Sequence, residues 1–242
     1  GAPVCACGCG QQLRVREDLQ ACRLKTYKWP LFVLGHGTAR CSRGPIPPTT
    51  LGLLYGTLLG DTSISRNNGP AANPRVRFNH GPSQEVWARY KADRLVGLGV
   101  DVCQTTNYGF GDVLFLGTSV AHPGLSTVYE LVADPACVSI EWLSAISDEG
   151  WAWWYMDDGN CQRGGIRFHT EGYGEEEVVC IRDFISHKFH ITPILERSKG
   201  KYFLLRLRVA DAIQWLRCLR QYAAPGMEYK FPDDYERGRR AQ

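Results

Sequence analysis

Two stretches, TTLGLLYGTLLGD at residues 49–61 and DEGWAWWYMDDG at residues 148–159, decide how this 242-residue chain folds. The first follows Pro47 and Pro48, opens on a Thr suited to cap a helix, and places Leu51, Leu54, Tyr55 and Leu58 on one helical face. Its Gly52, Gly56 and Gly60 recur every fourth residue. A glycine inside a helix costs about 1 kcal/mol relative to Ala. Three in register therefore point to a second backbone packed very close against that ridge. Each stretch closes on acid, with Asp61 ending the first and the Asp157-Asp158 pair standing just before Gly159 in the second.

Outward from these helices the two halves repeat one order. In the first, RVRFNH (75–80) alternates Arg75 and Arg77 with Val76 and Phe78, predicting a strand with one basic and one apolar face. An amphipathic helix over 83–99, with Val86, Tyr90 and Trp87 inward, a hairpin over 100–119 and a helix over 123–134 follow. In the second, a strand over 166–170 sets Arg167 and His169 against Ile166 and Phe168. A helix over 175–189 comes next. A hairpin over 191–209 then turns at Lys199-Gly200-Lys201, with Arg206 and Arg208 opposite Phe203, Leu205 and Leu207, and a helix over 210–224 closes the half. This duplication predicts an α+β fold of two αββαββα repeats related by a pseudo-twofold axis. The expected divisions are a Cys-rich region at 1–48, a first repeat at 49–142, a second at 143–232 and a polar tail at 233–242. Packing the two helices along their small residues would bring Asp61 and Asp158 together, with a basic sheet face from each half on the same side.

The bulk numbers suit that picture. Hydrophobic residues make up 44% of the chain and charged residues 22%, with a net charge of +3. The mild basic lean permits an acidic partner without demanding one, so the placement of charge carries that argument. No apolar run approaches the roughly 20 residues that span a bilayer, and the start lacks a basic-then-apolar signal pattern, so an intracellular protein with no membrane partner is expected. Five of the ten cysteines stand in the first 41 residues, as Cys5, Cys7, Cys9, Cys22 and Cys41. The others are scattered singly through apolar segments and read as small core residues. A tight cluster in an intracellular chain points to metal rather than to disulfides.

Two carboxylates meeting on a symmetry axis beneath two basic sheets suit cleavage of both strands of a nucleic-acid duplex. Hard oxygen ligands bind Mg²⁺ through one or two carboxylates, with water and substrate phosphate completing the shell. An antiparallel ribbon fits the major groove, where arginine reaches guanine edges or phosphate. The basic positions 75, 77, 167, 169, 206 and 208 fit that use.

The two helices, followed by FNHGPSQEVWARYKADRL, TSVAHPGLSTVYELV, FHTEGYGEEEVVCIRDFISHKF and APGMEYKFP, resemble the LAGLIDADG homing endonucleases, specifically the single-chain branch with two fused repeats. The resemblance covers roughly residues 50–232. It implies a β-saddle over a long double-stranded DNA target, a monomer with internal pseudo-twofold symmetry, and cleavage leaving short 3′ overhangs, as in intron homing. It also assigns Asp61 and Asp158 to active-site Mg²⁺, a place that Mn²⁺ or Ca²⁺ can take, with the backbone carbonyls of Gly60 and Asp157 as added ligands. Lys230 falls on the basic residue that assists the second active site. The first repeat has Val120 and Ala121 where its counterpart is expected, leaving His122, Lys199 or Lys201 as substitutes. Lys199 and Lys201 also join the six saddle positions as DNA contacts.

The N-terminal segment VCACGCGQQL, with FVLGHGTARC after it, resembles a small zinc-binding appendage of some phage and bacterial nucleases. Structural Zn²⁺ takes four S or N ligands; Cys5, Cys7, Cys9 and His36 are the first choice, with Cys22 and Cys41 as replacements. Arg14, Arg16, Lys25 and Lys28 there would extend the DNA contact. Two other functions share the fold: an RNA maturase that helps an intron splice, and a catalytically inactive DNA-binding regulator.

Overall fold

The computed structural model describes residues 44–66, 72–106, 113–133 and 137–232. The first half runs α1 (Pro48–Leu58), β1 (Thr62–Ser65), β2 (Arg75–His80), α2 (Glu85–Arg94), β3 (Asp101–Thr106), β4 (Val113–Thr118) and α3 (Leu125–Val132). A short helix α4 (Ile140–Ala145) lies across the expected division at 142/143. The second half runs α5 (Asp148–Asp158), β5 (Gly159–Gln162), β6 (Gly165–Phe168), α6 (Glu175–Phe189), β7 (Ile194–Ser198), β8 (Tyr202–Leu207) and α7 (Val209–Leu219). Each half carries one antiparallel four-stranded sheet, in the order β1-β2-β4-β3 and β5-β6-β8-β7. The α+β class and the αββαββα repeat are as the sequence predicts.

α1 and α5 pack directly against each other. A Cβ on Gly56 would stand 2.1 Å from the carbonyl oxygen of Gly150, and one on Gly150 would stand 2.2 Å from that of Gly52. The glycine ridge of α1 thus meets the single glycine of α5, and backbone touches backbone. Ser147 N–H donates to Gly52 O at 3.3 Å, and the Trp142 indole donates to Tyr55 O at 3.0 Å, so carbonyls on α1 also accept from the α4–α5 segment. Proline opens α1: Pro47 takes the capping position and Pro48 the first turn, where a missing N–H costs nothing. Thr50 donates instead to Val96 O at 3.0 Å.

The tryptophans of α5 divide between the two cores. Trp153 meets Trp87 of α2 edge-on with ring centres 5.1 Å apart, whereas Trp154 stacks on Phe168 of β6 at 4.3 Å. On α2 the inward stripe is Trp87, Ala88, Lys91 and Leu95, while Val86 is 53% exposed. The expected stripe was therefore rotated by one position, because a lysine occupies a core place. The cysteines also depart from expectation: Cys103, Cys137 and Cys218 are exposed, and Cys161 and Cys180 are half-buried. Cys5, Cys7, Cys9, Cys22, His36 and Cys41, the four basic residues beside them and the 233–242 tail lie outside the described residues.

Candidate active site at the ends of the central helices

Antiparallel pairing fixes which side chains each sheet shows. In the first sheet Arg77 pairs with Ser63 and Thr118 on the outer face, while Val76, Phe78 and His80 turn inward. In the second, Arg167 of β6 stands opposite Arg206 of β8, with Ile166, Phe168, Leu205 and Leu207 on the buried side. Among the described residues no carboxylate pairs with Arg75 or Arg77. Arg167 and Arg206 share Glu196, at 3.4 and 2.9 Å respectively. β6 ends at Phe168, so His169 lies beyond it, its ring 3.3 Å from Glu171. Arg208 likewise lies past β8, exposed at the start of α7. Lys199 and Lys201 flank the β7–β8 turn, Lys201 over the Tyr202 ring.

The two acids lie where α1 and α5 give way to strands. Burial holds the Asp61 carboxyl up at about 6, with the charge of Asp157 adding to the effect and Lys91 and Lys230 opposing it. Burial raises Asp158 further, to about 8, reinforced by Asp157 and Asp61 and opposed by Lys230 and Lys91. The acids share one electrostatic environment, and the same two lysines act on both. Such carboxyls resist becoming anions unless a cation accompanies them.

Asp157 is different. A Cβ on Gly60 would come within 2.7 Å of its Cβ, so its side chain is wedged at the helix interface and fully buried. Lys91 Nζ donates to both of its oxygens at 2.7 Å; the Trp87 indole and the Thr57 hydroxyl donate at 2.9 Å each. Burial works to raise its pKa. The charges of Lys91 and His80 and the hydrogen bonds from Lys91 and Trp87 outweigh that and hold it below the usual carboxylate range. Asp157 is therefore an ionised structural node, and its side chain is spent on those donors. Its carbonyl, one of the expected ligand oxygens, accepts from Lys230 Nζ at 3.3 Å. Met156 O is the other acceptor of that ammonium. Burial lowers the Lys230 pKa, and Asp157, Asp61 and Asp158 work against the shift. Two of the three Lys230 donors thus close the end of α5, and the third remains to act elsewhere.

The substitutes expected for the first side are not brought to it. His122 is buried and its Nδ1 accepts from Gly124 N–H at 3.0 Å, which ties it to the turn before α3. Lys199 and Lys201 sit at the β7–β8 turn of the second half, and neither is among the charges that act on Asp61. The cation beside Asp61 is Lys91, and the nearest imidazole is His80, with Nδ1 3.7 Å from an Asp61 oxygen. Burial, and then Lys91, push His80 down to about 4, so the ring is neutral at pH 7. Asp61, His80 and Asp157 offer ligand atoms all within 4.8 Å of one another. The sequence reading passed over His80 and Lys91. The available signals were a polar residue at the apolar parity of β2 and a lysine four residues after a buried Trp.

Comparisons with known proteins agree with this architecture. The family model for the LAGLIDADG DNA endonuclease family matches residues 51–214. The RecA protein of Mycolicibacterium flavescens is 27% identical over 193 residues, covering 74% of this chain and 45% of that protein. A probable intron-encoded DNA endonuclease 3 of Mycosarcoma maydis is 28% identical over 92 residues, 37% of this chain and 67% of that one. The chain thus spans less than half the length of the RecA relatives. The homing endonuclease I-WcaI, solved bound to its DNA recognition sequence, superposes with a TM-score of 0.67 at 17% identity, over 78% of this chain and 88% of that one. That likeness is one of fold. With the family model covering most of both repeats, the chain belongs to the LAGLIDADG DNA endonuclease family.

Proposed function

We propose that this protein is a sequence-specific, metal-dependent double-strand DNA endonuclease of the homing type, acting as a monomer on a long target and leaving short 3′ overhangs. One observation carries the reading: Asp61 and Asp158 stand at the ends of two helices in backbone contact and share one electrostatic environment that raises both carboxyls.

Asp61 and Asp158 would hold Mg²⁺, which Mn²⁺ or Ca²⁺ can replace, with the Gly60 and Asp157 carbonyls as further oxygen donors. The donor set fits, since hard oxygens and raised carboxyls favour a hard cation. Held there by Asp61 and Asp158, a divalent ion would supply Lewis-acid polarisation of the phosphate and a lowered pKa for bound water. The chain's own residues do the rest. Asp157, gripped by Lys91, Trp87 and Thr57, fixes the separation of the helix ends and hence of the two acids. Lys230 anchors the end of α5, and its remaining donor is available to charge developing near Asp158. Arg75, Arg77, Arg167, Arg206, Arg208, His169, Lys199 and Lys201 supply phosphate and base contacts across the saddle. Cys5, Cys7, Cys9 and His36 would bind one structural Zn²⁺, a staple that so short a segment needs in order to fold. One zinc per chain, lost on Cys7→Ser, checks this.

The test of the nuclease reading is selection from a randomised duplex library with Mg²⁺, and with Ca²⁺ as the non-cleaving control. A single long consensus cut on both strands is expected; a library left intact under Mg²⁺ and Mn²⁺ contradicts the reading.

A further inference from the structure

His80 stands at the end of β2 on the inner face, its side chain fully buried. Among the described residues neither ring nitrogen meets a partner at normal hydrogen-bond geometry, and only the Gln84 side chain offers the ring a weaker polar interaction. A polar group left unsatisfied in the interior is unfavourable, so a buried imidazole whose nitrogens lack well-formed bonds calls for a ligand. Its Nδ1 lies 3.7 Å from an Asp61 oxygen, too far for a hydrogen bond. An octahedral ion with bonds of about 2.1 Å separates adjacent ligand atoms by about 3.0 Å and opposite ones by about 4.2 Å. The observed 3.7 Å matches neither separation, so the Asp61 carboxylate would have to close on the ring by about 0.7 Å for the two to be adjacent ligands of one ion. Asp157 also comes within 4.8 Å, but Lys91 holds both of its oxygens at 2.7 Å, which removes it from the ligand set and leaves that pair nearly neutral.

We propose that the ion on the first side of the centre is held by a mixed pair, the Asp61 carboxylate and the His80 imidazole, so that this side takes Mn²⁺ in preference to Mg²⁺ or Ca²⁺. Carboxylate, carbonyl and water suit Mg²⁺, Ca²⁺ and Mn²⁺ alike, and of these three Mn²⁺ is the first-row transition ion, the class that imidazole suits, so a nitrogen ligand favours it. Asp158 has no such nitrogen neighbour among the described residues, so the preference belongs to one side. The inference rests on the nuclease reading above.

Mn²⁺ is the probe, because thiolates at the N-terminus compete weakly for it. The full chain is titrated with Mn²⁺, bound ion is counted by electron paramagnetic resonance, and pulsed measurements look for coupling to a directly bound ¹⁴N. The wild type is expected to show that coupling. His80→Gln, verified as folded by circular dichroism, should lose it, bind Mn²⁺ about tenfold more weakly and lose the Mn²⁺ over Mg²⁺ preference. Asp61→Asn should lose the nitrogen-coupled ion altogether. Bound Mn²⁺ without nitrogen coupling, or coupling that survives His80→Gln, overturns the proposal and leaves the two-acid centre intact. No Mn²⁺ binding that depends on either Asp61 or Asp158 overturns the underlying reading, and the proposal with it.

Discussion

At the end of α1, Leu59 O accepts the phenol of Tyr173 at 2.9 Å; at the end of α5, Met156 O and Asp157 O accept the ammonium of Lys230. Equivalent helix ends thus receive a neutral cap on one side and a cationic one on the other. The first half has its own cation, Lys91, but spends it inside the protein on the Asp157 carboxylate. The sheets differ likewise: among the described residues Arg75 and Arg77 of the first have no carboxylate partner, whereas two arginines share Glu196 on the second. A duplicated fold therefore keeps its geometry while each half satisfies its charges differently, and the chemistry at the axis need not be symmetric.

The largest expected effect comes from breaking the Lys91–Asp157 pair. Lys91→Met leaves a fully buried carboxylate uncompensated and should cost about 3–5 kcal/mol in urea unfolding. Combining it with Asp157→Leu should recover much of that loss. A cost under about 1 kcal/mol for the single variant would deny the pair its role as the node between the halves. Gly56→Ala comes next, since its Cβ would meet the Gly150 carbonyl rather than a movable side chain. A loss of about 1–3 kcal/mol is expected from the same unfolding measurement, and none if the helices can separate freely.

A smaller effect separates the two acids by pH. Their carboxyls are raised when folded, so in the absence of divalent ions the native state keeps protons that the unfolded chain releases near pH 4. Stability should fall as pH rises from about 4, through about 6 where Asp61 ionises, to about 8 where Asp158 does, and level off above. Asp158→Asn should flatten the upper part of that fall, a gain on the order of 1–3 kcal/mol at pH 8.5. A wild-type profile flat from pH 5 to 8.5 would count against the raised pair. The smallest effect distinguishes the sheets. Arg77→Ala should reduce the salt dependence of DNA binding by about one phosphate contact, and Arg206→Ala by less, because Glu196 already offsets part of its charge. Equal slopes would erase that difference.

Much of the fold was legible because its signals are local. The Gly52-Gly56-Gly60 ridge forecast the helix interface, and strand alternation forecast the outer arginines and the inner Val76, Phe78, Ile166 and Phe168. The placement of Asp61 and Asp158 near one another was legible because each follows a helix with a counterpart in the other half. Lys91 was not, since a lysine on an amphipathic helix reads as surface until its partner, 66 residues away in sequence, is known. The side-chain role of Asp157 was hidden for the same reason: what decides it is three donors from distant segments.

The most direct test of the composite centre labels both strands of the selected target and follows each cut separately. If Asp61 and Asp158 form one shared site, Asp61→Asn and Asp158→Asn should each still bind the target and each stop cleavage of both strands, by about a thousandfold or more. Full cleavage by either variant, or loss of one strand's cut with the other at the wild-type rate, would contradict the shared centre.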